Sequence, residues 1–228
     1  MSDRPISLEN LDERTAPPAA PVLVSVVLDE SGSMASVWAA TVAGFNEYVD
    51  GLRRSPVPTR LGCLKFDTEY RRYCAVMPVA NVPPMTTQNY APRGGTALLD
   101  AVVKALGDAD AEKRPDERAL VVVITDGEEN SSKAATLDQV KAAVAERAAR
   151  GDWTFVFLGA NVDAFKVGAS LGAAFTANAS QWKSNDAGTL AMYRNLAGAT
   201  MAYASNQAKA TATFWASPLV NDLDKREE

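Results

Sequence analysis

The chain has 228 residues, a net charge of −5, 47% apolar and 22% charged residues, two cysteines and no histidine. This length and composition suit one soluble α/β domain with a core of its own, and the acidic balance without a basic stripe argues against nucleic acid as a partner. The missing histidine excludes Ser-His-Asp and Cys-His catalysis, two cysteines cannot build a four-cysteine zinc site, and any bound metal would be a hard ion held by oxygen.

Residues 1–20 are polar and proline-rich and read as a flexible arm ahead of a domain at 21–210, with a tail at 211–228. The arm has no long apolar core of the secretory kind, and no run approaches the ~20 apolar residues of a membrane span. The expected address is therefore the cytoplasm, with no membrane partner. Val22–Leu28 is an almost continuous apolar run, the pattern of a strand buried on both faces. From Ser36 to Arg54 the period changes. Val37, Thr41, Phe45, Tyr48 and Leu52 mark an amphipathic helix, with Ser36 placed to cap it.

Arg60–Phe66 and Tyr70–Val79 are β-rich and separated by "DTE", which predicts a hairpin. A proline-containing loop leads to "PRGGTALLDAVVKALGDA", two glycines opening into a helix from about Ala97. "ALVVVITDGEEN" is a second buried strand ending in acids, Leu137–Arg150 a helix closed by Gly151, and "WTFVFLGAN" a third buried strand. A short helix to Gly172, a sixth strand at Ala173–Ala177 and a last helix from 186 to about 209 complete the pattern. Strands alternating with helices predict a doubly wound, Rossmann-like, mostly parallel sheet with helices on both faces and one antiparallel edge strand. Cys63 falls in a strand and reads as a buried small apolar residue; its pairing with Cys74 is left open.

In such sheets ligands bind beyond the carboxyl ends of the strands. The first strand ends in "VVLDESGSMAS", with Asp29, Ser31 and Ser33 alternating along the loop. Alone, this is a capped turn, a nucleophile site or half of a metal site. An aspartyl nucleophile of the haloacid-dehalogenase type needs a second acid two residues on, where Ser31 stands. A nucleophile elbow lacks its Gly-x-Ser-x-Gly frame. Gly94-Gly95 is not followed by Gly-Lys-Ser/Thr, which excludes a P-loop. Thr96 after that glycine pair and Asp126 after the "ALVVVIT" strand fall where the same rule matters. If the two strands are neighbours, Asp29 and Asp126 lie side by side and repel, with little else nearby to compensate them. Mg²⁺ removes that repulsion, and two carboxylates with three hydroxyls suit its preference for oxygen. Glu30, Glu128 and Glu129 read as solvated, Trp38 as helix packing, and Phe214 and Trp215 as folded back onto the body.

D-x-S-x-S at Asp29–Ser33, Thr96 after its glycine-rich loop and T-D-G at Thr125–Gly127 together resemble the metal-ion-dependent adhesion site of the von Willebrand factor A (vWA) family. The resemblance runs from about Val22 to Ala210. "FNEYVDGLRR", "RGGTALLDAV" and "FVFLGANVDAF" resemble intracellular bacterial and phage-borne members. It implies a binding module rather than an enzyme: Ser31, Ser33 and Thr96 as direct ligands of Mg²⁺ or Mn²⁺, Asp29 and Asp126 acting directly or through water. One coordination position would stay open for the carboxylate of a protein partner. The alternative is a metal-dependent phosphotransferase or hydrolase on a similar fold.

Overall fold

The computed structural model describes residues 19–205 and 214–215. Most of the expected arm and tail therefore lies outside the described residues. Six strands form one sheet: β1 (Val22–Asp29), β2 (Thr59–Phe66), β3 (Tyr70–Pro78), β4 (Arg118–Thr125), β5 (Trp153–Gly159) and β6 (Ala179–Gln181). Their order is β3-β2-β1-β4-β5-β6, and every neighbouring pair is parallel except β2–β3, the hairpin that supplies the antiparallel edge. The helices are α1 (Trp38–Arg53), α2 (Leu98–Glu112), α3 (Leu137–Ala149), α4 (Ala164–Leu171), α5 (Ala173–Thr176) and α6 (Asp186–Ser205).

Alternation along β1 divides the core. Val22, Val24, Val26 and Leu28 pack with Phe45, Tyr48 and Leu52 of α1 and Tyr193 and Leu196 of α6. Leu23 and Val27 point the other way, onto Leu98 and Val102 of α2, Val140 of α3 and Leu171 of α4. Each such side chain contributes roughly 1.5–3 kcal/mol on burial, so the two faces hold β1 in the centre of the sheet. Among the described residues no helix is long and apolar enough to cross a membrane.

Two expectations about elements need correction. Ser36 does not cap α1. Gly32–Val37 forms a 3₁₀ turn that buries Met34 and Val37, and the α-helix starts only at Trp38. Ser36 Oγ instead reaches back to the Ser33 carbonyl at 3.4 Å. Ala173–Ala177 is not the sixth strand. Gly172, at φ +136°, breaks the chain between α4 and α5, and the α5 turn puts Phe175 against the Phe155 and Phe157 rings. So short an apolar run carries no decisive period, and the strand forms three residues after α5, at Ala179–Gln181. The hairpin brings Cys63 opposite Cys74; both are buried and neither is in a disulfide. Phe214 does fold back: it is buried against Tyr203, its amide donates to Asn178 Oδ1 at 2.7 Å, and Trp215 Nε1 donates to the Asn178 carbonyl at 2.9 Å.

Candidate metal centre

β1 and β4 are parallel neighbours with Leu28 opposite Ile124, so Asp29 and Thr125–Asp126 leave the sheet side by side. The chain after β1 enters α1 on one face, and the chain after β4 enters α3 on the other. This is the switch point at which an open parallel sheet leaves a crevice. The two loops diverge there, and the segment before α2 brings Thr96 to the same place.

All five expected site residues converge. Ser31 Oγ and Ser33 Oγ lie 3.0 Å apart, and Ser33 Oγ donates to Asp126 Oδ1 at 2.5 Å. Gly127 marks the common point. A Cβ built there would lie 3.0 Å from Thr96 Oγ1, 3.4 Å from Ser33 Oγ and 3.8 Å from Asp29 Oδ2. Glycine thus keeps open a space lined by oxygens of the loop after β1 and of the Thr96 segment, next to Asp126 on its own loop. Asp126 Oδ2 is buried without a hydrogen-bond partner, an acceptor aimed at nothing the described chain supplies. Adjacent oxygens on an octahedral ion with ~2.1 Å bonds sit about 3 Å apart, which matches the serine pair. Among the described residues no group of three or more His, Cys, Asp or Glu comes together. The donors here are two carboxylates and three hydroxyls, a set suited to a hard cation.

The sequence reading missed the residues that hold these donors. Thr125 Oγ1 donates to Asp29 Oδ2 at 2.5 Å, and the Ser31 amide donates to Asp29 Oδ1 at 2.6 Å. Tyr90 OH donates to the Asp29 carbonyl at 2.7 Å. Asn130 ties the Thr96 segment to the Asp126 loop: its Oδ1 accepts from the Thr96 amide at 2.9 Å and its own amide donates to the Thr96 carbonyl at 3.0 Å. The position of Thr125 inside T-D-G was a usable signal; Tyr90 and Asn130 stand in irregular segments with no pattern to flag them.

Burial is the main reason the Asp29 carboxyl is pushed up to about 6; the hydrogen bonds from Thr125 and Ser31 oppose it, and the Asp126 charge contributes least. Asp126 is raised too, by burial against the Ser33 hydrogen bond. Asp126 does repel Asp29, but the expectation that little nearby compensates them is corrected by the Thr125 and Ser31 hydrogen bonds. Loss of water is the larger effect, and two donors already serve Asp29. Two acids read as solvated are also not. Glu30 is buried between Lys65 and Arg71. Glu129 accepts from the Leu99 amide at the start of α2 and from the Ser131 and Ser132 amides. Glu128 is exposed, as expected. Trp38 is 36% exposed, with its Nε1 pinned to the Tyr90 carbonyl at 2.6 Å.

This architecture recurs in solved structures. A von Willebrand factor type A protein from Catenulispora acidiphila superimposes with a TM-score of 0.57 at 16% identity, over 80% of this chain and 43% of that one. Proximal thread matrix protein 1 from the mussel byssus, solved with a zinc-occupied MIDAS motif, gives 0.54 at 14% identity, over 79% and 48%. The vWF domain of the type V pili tip protein Mfa5 from Porphyromonas gingivalis gives 0.55 at 13% identity, over 85% and 99%. At these identities the likeness is one of fold, and the chain spans just under half the length of the first two. Curated protein sequences return no match. The fold is that of a vWA domain. Residues 5–185 match the family described as VWA domain containing CoxE-like protein, and the chain belongs to that family.

Proposed function

We propose that this protein is a metal-dependent protein-binding module, in which Asp29, Ser31, Ser33, Thr96 and Asp126 hold Mg²⁺ or Mn²⁺. One observation carries the reading. Thr96 Oγ1, Ser33 Oγ and Asp29 Oδ2 line the space kept open by Gly127, and the neighbouring Asp126 Oδ2 is buried with no hydrogen-bond partner. When bound, the cation supplies a Lewis-acid site for an incoming carboxylate. The chain's own part is to preassemble the donors: Thr125 and the Ser31 amide orient Asp29, Ser33 orients Asp126, and Asn130 sets Thr96. The partner chemistry that fits is an acidic side chain presented on a protein surface.

Binding is favoured over phosphoryl transfer or hydrolysis because the acid that an aspartyl nucleophile needs two residues on is missing. The position two residues beyond Asp29 is Ser31, whose hydroxyl is engaged with Ser33. The test is calorimetric titration of wild type and Thr96→Ala with Mg²⁺ and Mn²⁺, followed by affinity capture of partners with and without EDTA. Saturable binding weakened in Thr96→Ala, with a partner released by EDTA, is the expected result. Metal-dependent phosphatase turnover that survives repurification and is lost in Asp29→Asn would replace the binding reading by the catalytic one.

A further inference from the structure

Glu30, between the expected ligands Asp29 and Ser31, turns to a buried ionic network instead of the crevice. Glu30 is 3% exposed and Lys65, near the end of β2, is 8% exposed. Lys65 Nζ meets Glu30 Oε1 at 2.7 Å, and Arg71 reaches Glu30 Oε2 at 3.2 Å. Both partners also grip backbone. Lys65 Nζ donates to the Asn89 carbonyl, and Glu30 Oε1 accepts from the Ala91 amide at 2.7 Å. The Glu30 carbonyl accepts from the Arg93 amide at 2.8 Å. Next along, the Gly94 carbonyl accepts from the Gly32 amide at 3.1 Å, and the Asp67 carbonyl accepts from the Ala97 amide at 2.7 Å.

These contacts fall on one segment. From Val82 to Ala97 the chain forms neither helix nor strand, yet it must deliver Thr96 to within reach of Ser33 and Asp29. Backbone of this kind has no ladder to fix its path. An ion pair buried only for stability is no better than an apolar pair of the same volume. What Glu30 and Lys65 provide that an apolar pair cannot is directional attachment to Asn89 and Ala91.

We infer that Glu30 and Lys65 are positioning residues: they latch the 89–97 segment to the Asp29–Ser33 loop and so set the metal affinity of a centre they do not touch. This rests on the metal-site reading above. Groups behind metal ligands typically change affinity by roughly 10–100-fold when removed.

The test pairs two readouts on the full chain, wild type against Lys65→Met. Mn²⁺ dissociation constants come from electron paramagnetic resonance of the free ion, and amide hydrogen exchange is followed in EDTA. The latch requires at least ~10-fold weaker Mn²⁺ binding and faster exchange confined to residues 89–97, with β1 and β4 amides unchanged. Lys65→Arg, which keeps charge and donor, restores both. If Lys65→Met does not fold, Glu30→Gln/Lys65→Met, which strands no charge, carries the same comparison. Mn²⁺ affinity within twofold of wild type, or faster exchange spread through the sheet, overturns the latch and leaves the metal site standing. A wild type that binds no Mn²⁺ overturns the metal-site reading itself, and the inference that rests on it.

Discussion

Replacing Asp29 by asparagine removes a charge while keeping the shape that Ser31 and Thr125 grip. In wild type the carboxyl is fully buried and raised from 3.8 to about 6, chiefly by burial. A rise of that size means that ionised Asp29 costs the metal-free fold about 3 kcal/mol at pH 7. The sign follows from proton linkage. The folded chain holds this proton more tightly than the unfolded chain, so stability is greatest below pH ~4, falls as pH rises toward ~6, and is level above. Asparagine carries no such cost. Its oxygen can accept from the Ser31 amide, and its amide can donate to Thr125 Oγ1. In EDTA at pH 7, Asp29→Asn is expected to melt about 6–12 °C above wild type, with the advantage gone by pH 4. Mg²⁺ at a hundredfold excess over its dissociation constant should stabilise wild type by ~2.7 kcal/mol and Asp29→Asn not at all. Asp29→Ala differs. It leaves the Ser31 amide without its acceptor, at about 1–3 kcal/mol, while the Thr125 hydroxyl keeps the Gly127 carbonyl at 3.1 Å, so it should melt below the asparagine variant. Differential scanning calorimetry across pH 4–8, with EDTA and with Mg²⁺, measures all of this. An asparagine variant no more stable than wild type at pH 7, or one whose advantage persists at pH 4, would refute the reasoning.

Gly127→Ala places a methyl group 3.0 Å from Thr96 Oγ1 and 3.4 Å from Ser33 Oγ. Its melting point in EDTA should stay within about 2–4 °C of wild type, while the Mg²⁺-induced rise disappears; an intact rise would place the ion elsewhere. In EDTA the melting temperature of wild type should fall between pH 4 and pH 6, where Asp29 ionises at a cost, and Asp126, also raised by burial, acts in the same direction. Asp67, Asp100 and Asp108, all held below the usual carboxylate range, withdraw their stabilisation only below about pH 4. The Mg²⁺ shift should grow over the same window, because protons compete for the ligands. Gly44→Ala drives a methyl group to 2.8 Å from Tyr193 Cγ and should cost ~1–3 kcal/mol in urea denaturation. Gly107→Ala, with nothing within 4 Å, should instead gain up to ~1 kcal/mol.

The sequence by itself determined the buried strands and the candidate site residues. Continuous apolar runs at Val22–Leu28, Ala119–Ile124 and Trp153–Leu158 can satisfy their side chains only between two layers of helices. Asp29, Ser31, Ser33, Thr96 and Asp126 were visible because each stands directly after a strand or before a helix, where residue type is tied to position. Only the tertiary structure decided what holds those side chains. Thr125, Tyr90, Asn130, Glu30 and Lys65 act across 34 to 96 positions of chain, and no local period reports contacts of that range. The same limit explains the errors. Glu30 reads as a solvated loop acid until β2 brings Lys65 beneath it. Ala173–Ala177 reads as a strand until Phe155 and Phe157 supply the pocket that Phe175 fills as a helical turn. Local pattern specifies which face a residue turns toward the core, and only the packed fold specifies what waits there.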